Sequence, residues 1–235
     1  MEIVSVFRRL RRDLPPEDFA EIFLRAGIGI DGDCNASPAS PRQVLLVSTG
    51  AYEYCSVPPR SLRENILIRA DELRLSSGSL LRLGPNASLR ITFECEPCGR
   101  LNRVRPRLSK DVQGKRGYLA RVVKSGLVRP GDRIQVVPDV FRSFSDSWKD
   151  RVLSIARTLP ADSIISYAGL AELAGVPKSF CRSFPRLLSS QIDPSLWQRI
   201  MTSSQLTKLP DSQEHRPWLG IAVFEDEARY IEETI

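Results

Sequence analysis

Hydrophobic and polar positions divide this chain into two regions of different period. From Ile28 to Val137, short apolar runs alternate with turn residues. The runs are Val44–Val47, Asn65–Ile68, Leu80–Leu83, Leu89–Phe93, Tyr118–Val123 and Arg133–Val137, and Gly, Pro, Asn and Asp separate them. Many short strands with little helix between them predict a β-barrel-like domain. Ahead of these runs, Ala20–Ala26 reads as one short helix ended by Gly27, after a basic stretch carrying Arg8, Arg9, Arg11 and Arg12. From Pro138 to Ser147 the periodicity lapses. It returns as helical, with Trp148, Val152, Ile155 and Ala156 spaced by three and four. A second helix is expected over Tyr167–Ala174, stopped by Gly175 and Pro177, and a third from Lys178 to Leu188. Two helices joined by a short Gly-containing turn fit helix-turn-helix geometry. The expected organisation is multidomain: a mainly-β, barrel-like domain over 1–140, a linker over 141–147, and a mainly-α domain over 148–235.

A chain of 235 residues is long enough for two cores. It has no apolar run of about 18 residues, and no apolar segment follows the N-terminal arginines, so neither a membrane span nor a secretory signal is expected. That reading points to the cytoplasm and to no membrane partner. The five cysteines are odd in number and irregular in spacing, unlike a disulfide framework. Net charge is +6, unevenly distributed. Residues 1–142 hold 24 Lys and Arg against 16 Asp and Glu, whereas residues 143–235 hold 10 against 12. Five of those acids are Glu225, Asp226, Glu227, Glu232 and Glu233; over 143–210 the balance is 8 basic against 5 acidic. A positive balance attracts phosphate, and it also serves as an ordinary solubilising surface.

Candidate chemistry in the first region centres on Cys95-Glu96-Pro97-Cys98. Two cysteines three apart supply half of a tetrahedral zinc site. The other half is absent, because no second pair exists and the only histidine, His215, lies in the second region. A dithiol redox pair and two buried apolar residues are the remaining readings. The order of local sequences narrows this. Gly29-Ile30-Asp31-Gly32-Asp33, Ser40-Pro41-Arg42-Gln43-Val44-Leu45-Leu46-Val47-Ser48, Glu64-Asn65, Cys95-Glu96-Pro97-Cys98-Gly99-Arg100-Leu101, Gly117-Tyr118-Leu119-Ala120-Arg121-Val122 and Gly131-Asp132 together resemble a MOSC domain, named after the C-terminal part of molybdenum-cofactor sulfurases. The resemblance implies a β-barrel-like fold and possible use of the molybdenum cofactor, molybdopterin. It implies that Cys98 carries sulfur or ligates molybdenum, that Arg42, Arg100 and Arg121 grip an anionic pterin phosphate, and that Asp33 and Asn65 shape the pocket. A cationic neighbourhood would favour the thiolate such a role needs.

In the second region, the segment from Ser163-Ile164-Ile165-Ser166-Tyr167-Ala168-Gly169-Leu170 to Val176-Pro177-Lys178 resembles the winged-helix DNA-binding region of alkylguanine-DNA alkyltransferases and alkyltransferase-like proteins. By that resemblance Tyr167 presses on the phosphate beside a flipped nucleotide, Arg182 enters the duplex in place of the flipped base, and Ser166 and Lys178 contact the DNA. Flipping costs a few kcal/mol, which a stacking guanidinium partly offsets. Leu196-Trp197-Gln198-Arg199-Ile200 stands where the transferases carry their acceptor cysteine. Trp197 occupies the cysteine position, and Trp197 and Arg199 would line the lesion pocket. An indole accepts no alkyl group and Gln198 supplies no general base, so binding without transfer is expected.

Two functions follow from these resemblances. One is non-enzymatic recognition of alkylated guanine in double-stranded DNA, coupled to a MOSC module and to a repair-pathway protein. The other is a molybdenum-cofactor-linked enzyme or sulfur carrier acting through Cys98, with the second region as a nucleic-acid tether.

Overall fold

Period-two alternation in the first region becomes an eight-stranded sheet. The computed structural model describes residues 1–208 and 216–234; His215 and the side chains of Glu232 and Glu233 lie outside that description. The chain forms two compact units. The first holds Met1–Pro38 and Arg42–Phe144 with the last residues from Arg229, and the second holds Ala39–Pro41 and Ser145–Ala228.

The strands of the first unit are β1 (Glu2–Arg8), β2 (Glu17–Phe19), β3 (Ile22–Arg25), β4 (Gly29–Ile30), β5 (Val44–Ser48), β6 (Ile66–Arg69), β7 (Leu80–Leu83), β8 (Ala87–Glu94), β9 (Tyr118–Lys124), β10 (Gly126–Val128) and β11 (Ile134–Val137). The large sheet runs β11-β7-β8-β9-β5-β6-β1-β2, and β10-β3-β4 form a smaller one. Its neighbours pair antiparallel except β5 and β6, which pair parallel. Parallel neighbours need a crossover, and α1 (Thr49–Cys55) lies within it, its N-terminus capped by the Ser48 side chain accepting from the Ala51 N–H. The sheet curls into a half-barrel until the start of β1 meets the approach to β11. There the Ile3 N–H donates to Asp132 O at 2.9 Å and the Gly131 N–H to Ile3 O at 2.8 Å.

Apolar side chains fill both faces. Ile3, Leu24, Leu46, Ile66, Leu89, Ile91 and Val122 belong to the inner cluster. Val47, Cys55, Phe93, Cys95, Leu101 and Leu108 belong to an outer one. It includes residues of α1, of the 3-10 helix Gly99–Arg103 and of α2 (Leu108–Asp111). Residues 89, 91, 93 and 95 would share one face of a regular strand. They do not, because the β8–β9 register shifts between Ile91 and Phe93. This bulge turns Phe93 and Cys95 to the outer cluster. Thr92 anchors it: its hydroxyl donates to Leu119 O at 2.9 Å.

The expected helix over Ala20–Ala26 is instead the strand β3, which closely follows β2. Ile22 and Leu24 are buried while Phe23 and Arg25 are exposed, a period of two. The partner that decides this is β10, about a hundred residues away, with Leu24 opposite Gly126 and Ile22 opposite Val128. β1 forms where the sequence showed only a basic stretch; its arginines sit at and beyond its end.

In the second unit, α3 (Trp148–Arg157) and α4 (Tyr167–Leu173) form where the helical period predicts them. The third helix is divided into a 3-10 helix, Lys178–Ser183, and α5 (Phe184–Ser189). Pro185 has no N–H to donate to the carbonyl four residues back, so one continuous α-helix is not available. β12 (Ser163–Ser166) pairs parallel with β13 (Ile200–Met201) and with β14 (Arg216–Pro217). Strands of this unit therefore pair parallel among the described residues, rather than as a wing hairpin. A short α6 (Pro194–Trp197) precedes β13. A last helix, Glu225–Thr234, carries Glu225, Asp226 and Glu227 in its first turn, where carboxylates complement the helix dipole.

Replacing Thr92 with Val would leave the Leu119 carbonyl without its buried partner. A loss of about 1–3 kcal/mol in unfolding free energy is expected, measured by urea denaturation; an unchanged midpoint would show that the bulge stands without the hydroxyl.

Candidate functional site

The bulge, one glycine and a buried arginine together set the site. Past the last β8–β9 pair, the Cys95 N–H donates to Gly117 O at 2.8 Å. Gly117 has φ +103°, and a Cβ there would stand 2.0 Å from Leu46 O, so only glycine lets β9 begin so close to β5. Its neighbour Arg116 is thereby buried under the Cys95–Cys98 turn. Arg116 donates through Nη1 to the Glu96 carbonyl at 2.6 Å. Cys98 is half-buried and precedes the 3-10 helix Gly99–Arg103. Burial opposes its ionisation, yet the thiol is held below its ordinary value. The Arg116 charge and hydrogen bond and the backbone N–H groups of Arg100 and Leu101 outweigh the burial. Burial pushes the Cys34, Cys55 and Cys181 thiols up instead. Cys98 is thus the thiol prepared to act as a thiolate.

Beside the same 3-10 helix opens a cleft of about 570 Å³ lined by Arg12, Arg60, Arg63, Arg100 and Arg103. Its acid, Asp13, is already bonded to Arg11 at 2.8 Å. Burial, then the adjacent Arg9 and Arg100, push the Arg63 guanidinium down from its ordinary value, while Cys98 and Cys34 pull it the other way. Arg60 and Arg63 both hold a left-handed backbone, at φ +66° each. Such conformations cost about 1 kcal/mol or more for a residue with a side chain, and they cluster where a site constrains the chain. Crowded cations, with Arg63 half-buried and the others exposed, fit an anionic ligand, above all a phosphate.

Of the residues singled out in the sequence, Cys98 and Arg100 meet at this site. Arg42 lies on its Cys95 side, with Nη2 at 4.0 Å from Cys95 Sγ and Nη1 at 3.8 Å from a Glu96 carboxylate oxygen. Arg121 is buried and donates to Pro38 O at 3.0 Å. Asp33 and Asn65 work as a clip. Asn65 Nδ2 donates to Asp33 at 3.0 Å, and its Oδ1 accepts from the Leu45 N–H. Asp33 also accepts the Arg9 N–H at 2.9 Å. The clip therefore ties the basic N-terminal arm to the sheet. Behind the Arg60–Arg63 loop, Tyr52 donates to the buried Glu64 carboxyl at 2.6 Å, and burial raises that acid. Arg12, Arg60, Arg63, Arg103 and Arg116 were not marked in the sequence. Their spacing is irregular, and only the excess of arginine in this half pointed to them. Among the described residues no group of three or more His, Cys, Asp or Glu gathers for a metal.

In the second unit, Ser166 caps α4 by accepting the Gly169 N–H at 3.0 Å. Tyr167 opens that helix, half-buried, with its ring edge-on to Phe184 at 6.1 Å. Burial raises its phenol, and the neighbouring Trp197 indole pulls the other way. The indole N–H of Trp197 is buried and meets no acceptor in hydrogen-bonding geometry. Lys178 and Arg182 are exposed on the 3-10 helix. Arg199 donates through Nη1 to the Ser163 carbonyl at 3.0 Å and also to Pro160 O, so it braces β12. Cys181 donates to Tyr167 O at 3.4 Å.

A family model described as the MOSC domain matches residues 31–135. Among solved structures, the chain is similar to the YUAD protein from Bacillus subtilis, at 21% identity and TM-score 0.51, over 57% of this chain and 94% of that one. It is similar to YiiM from Geobacillus stearothermophilus at 16% identity and TM-score 0.51, over 80% of this chain and 98% of that one. A structure described only as a hypothetical protein matches at 23% identity and TM-score 0.51, over 82% and 92%. At such identities the likeness establishes the fold alone. The curated proteins contain no match. No helix among the described residues is long and apolar enough to cross a membrane.

Substituting Arg116 with Met should raise the Cys98 thiol and slow its alkylation by iodoacetamide at neutral pH. A shift of one unit corresponds to about tenfold in thiolate population. The rate–pH profile, with alkylated cysteines mapped by mass spectrometry, measures it. An unshifted profile would remove Arg116 from the account of Cys98.

Proposed function

Starting from the MOSC domain at residues 31–135, we propose that the first unit is a sulfur-handling module in which the Cys98 thiolate acts beside a phosphate-bearing ligand. The observation that carries this reading is the thiol held below its ordinary value despite burial, next to a cleft lined by five arginines. A sulfur carrier must attack as a thiolate, and Arg116 favours that form of Cys98. The ligand class follows from the cleft. Arg63 and Arg100 crowd each other, and a phosphate relieves that repulsion by bridging guanidinium groups.

The residues fit a molybdopterin-type cofactor. Arg12, Arg60, Arg63, Arg100 and Arg103 would hold its phosphate, and Cys98 would face its reactive end as sulfur donor or ligand. When bound, that group would supply redox chemistry at its metal. This chain's own residues would bind the anion, orient it and favour the Cys98 thiolate.

The second unit supports a second reading: recognition of alkylated guanine in double-stranded DNA without alkyl transfer. The specific observation is the buried indole N–H of Trp197, which faces Tyr167 but meets no acceptor in good hydrogen-bonding geometry. A buried donor poorly placed on its acceptor keeps part of a cost of about 1–3 kcal/mol, and a ligand that brings a better-placed acceptor relieves it. Lys178 and the capped start of α4 would meet phosphates, Arg182 would stack in the duplex, and the bound site would pass to a repair-pathway protein. In this reading Arg199 shapes the pocket by bracing β12.

Three measurements test these readings. Titration of the purified protein with inorganic pyrophosphate should show saturable binding that Arg63→Ser and Arg103→Ser together weaken by roughly tenfold or more; equal affinity would dismiss the cleft as the anion site. Separately, metal and pterin analysis after reconstitution decides the cofactor, and a protein that retains neither loses the molybdopterin reading. For the second unit, a duplex with one alkylated guanine should bind better than the undamaged duplex at two salt concentrations, and Arg182→Ala should weaken that binding by roughly tenfold. Binding that ignores both the lesion and Arg182 would leave only phosphate attraction.

A further inference from the structure

We propose that Cys95 resolves sulfur carried on Cys98, closing a Cys95–Cys98 disulfide and releasing hydrosulfide. The inference rests on the reading of Cys98 as a sulfur-carrying thiolate and adds the fate of that sulfur. The two sulfurs border one shared group. Cys95 Sγ lies 3.9 Å from the Glu96 carbonyl oxygen. That oxygen accepts Arg116 Nη1 at 2.6 Å, and the same guanidinium bonds Cys98. Both cysteines pack into the outer apolar cluster, Cys95 as a buried member and Cys98 at its edge. Each has its own arginine, since Arg42 Nη2 stands 4.0 Å from Cys95 Sγ.

Their exposures differ in a way that orders the chemistry. Cys98 is half-buried and stands two residues before Arg100, which lines the cleft, so it is the cysteine of the pair open to an incoming donor. Cys95 is 1% exposed, so it meets sulfur only from within the protein. In the first step the Cys98 thiolate attacks a terminal sulfur of a polysulfide. A Cys98 S–S bond forms, an S–S bond of the donor breaks, and the shortened polysulfide leaves with the electron pair. In the second step the Cys95 thiolate attacks Cys98 Sγ. The disulfide forms, the outer sulfur leaves as hydrosulfide, and that sulfur is reduced as the two cysteines are oxidised. No further oxidant is needed.

The test treats the reduced, full-length protein with inorganic polysulfide and follows intact mass, peptide mapping and released sulfide. Wild type should lose two hydrogens, show a Cys95–Cys98 cross-link and release sulfide. Cys95→Ala should retain an extra sulfur atom on Cys98, with sulfide release reduced by on the order of tenfold or more. Cys98→Ala should show neither product. A wild type that keeps the extra sulfur on Cys98 without a cross-link overturns the resolving role and leaves Cys98 as a carrier. A cross-link from Cys98 to Cys55, which shares the cluster, overturns the assignment to Cys95. No sulfur on Cys98 in either protein overturns the inference together with the reading beneath it. The wild-type cross-link map decides the matter even if Cys95→Ala does not fold.

Discussion

One extra residue in β8 is the constraint on which the site depends. A regular strand would have kept Phe93 and Cys95 on the inner face with Leu89 and Ile91. The register shift after Ile91, anchored by the Thr92 hydroxyl on Leu119 O, turns them outward. Cys95 then enters the same apolar cluster that Cys98 borders. The turn between the cysteines must come with it, and its Glu96 carbonyl receives the buried Arg116 guanidinium. Bulges re-aim side chains at the cost of a ladder bond; here the bulge brings a thiol, a cation and a carbonyl together.

Charge explains why this corner is chemically distinct from the rest of the sheet. A buried guanidinium requires hydrogen-bond acceptors or anions. Arg116 takes the Glu96 carbonyl and favours the Cys98 thiolate. In the cleft alongside, Asp13 is committed to Arg11 and Asp18 pairs with Arg60 at 3.3 Å, so carboxylates are fewer than arginines. The positive field is held in place by rigid parts: the Asp33–Asn65 clip fixes the N-terminal arm, and the left-handed residues Arg60 and Arg63 shape the loop. Fixed cations that do not relax toward one another give an anion a large share of the favourable energy on binding.

In the second unit, local signals were strong where one turn of helix decided the structure. Ser166 caps α4 and Gly175 follows its end, and both are legible in sequence. Pro185 divides the helix expected over Lys178–Leu188, because its missing N–H breaks the ladder inside a helix but is tolerated in the first turn of α5. The environment of Trp197 was not legible: whether an indole N–H finds an acceptor depends on which groups the fold packs around it.

The amino-acid sequence by itself determined the strands with strong alternation, β5 to β9 and β11, the helices α3 and α4, and the Cys95–Cys98 pair as candidate chemistry. These rest on local period, capping and short motifs, which act within a few residues. Only the tertiary structure decided that Ile22–Arg25 is a strand, because its partner Gly126–Val128 lies far along the chain. It also decided that Asp33, Asn65 and Arg121 brace the fold, that Arg12, Arg60, Arg63 and Arg103 line one cleft, and that Arg116 is buried at the cysteine turn. Arginines scattered without period along a sequence are indistinguishable from a solvated surface. Burial and mutual proximity, set by the curl of the sheet and by its bulge, give them different roles.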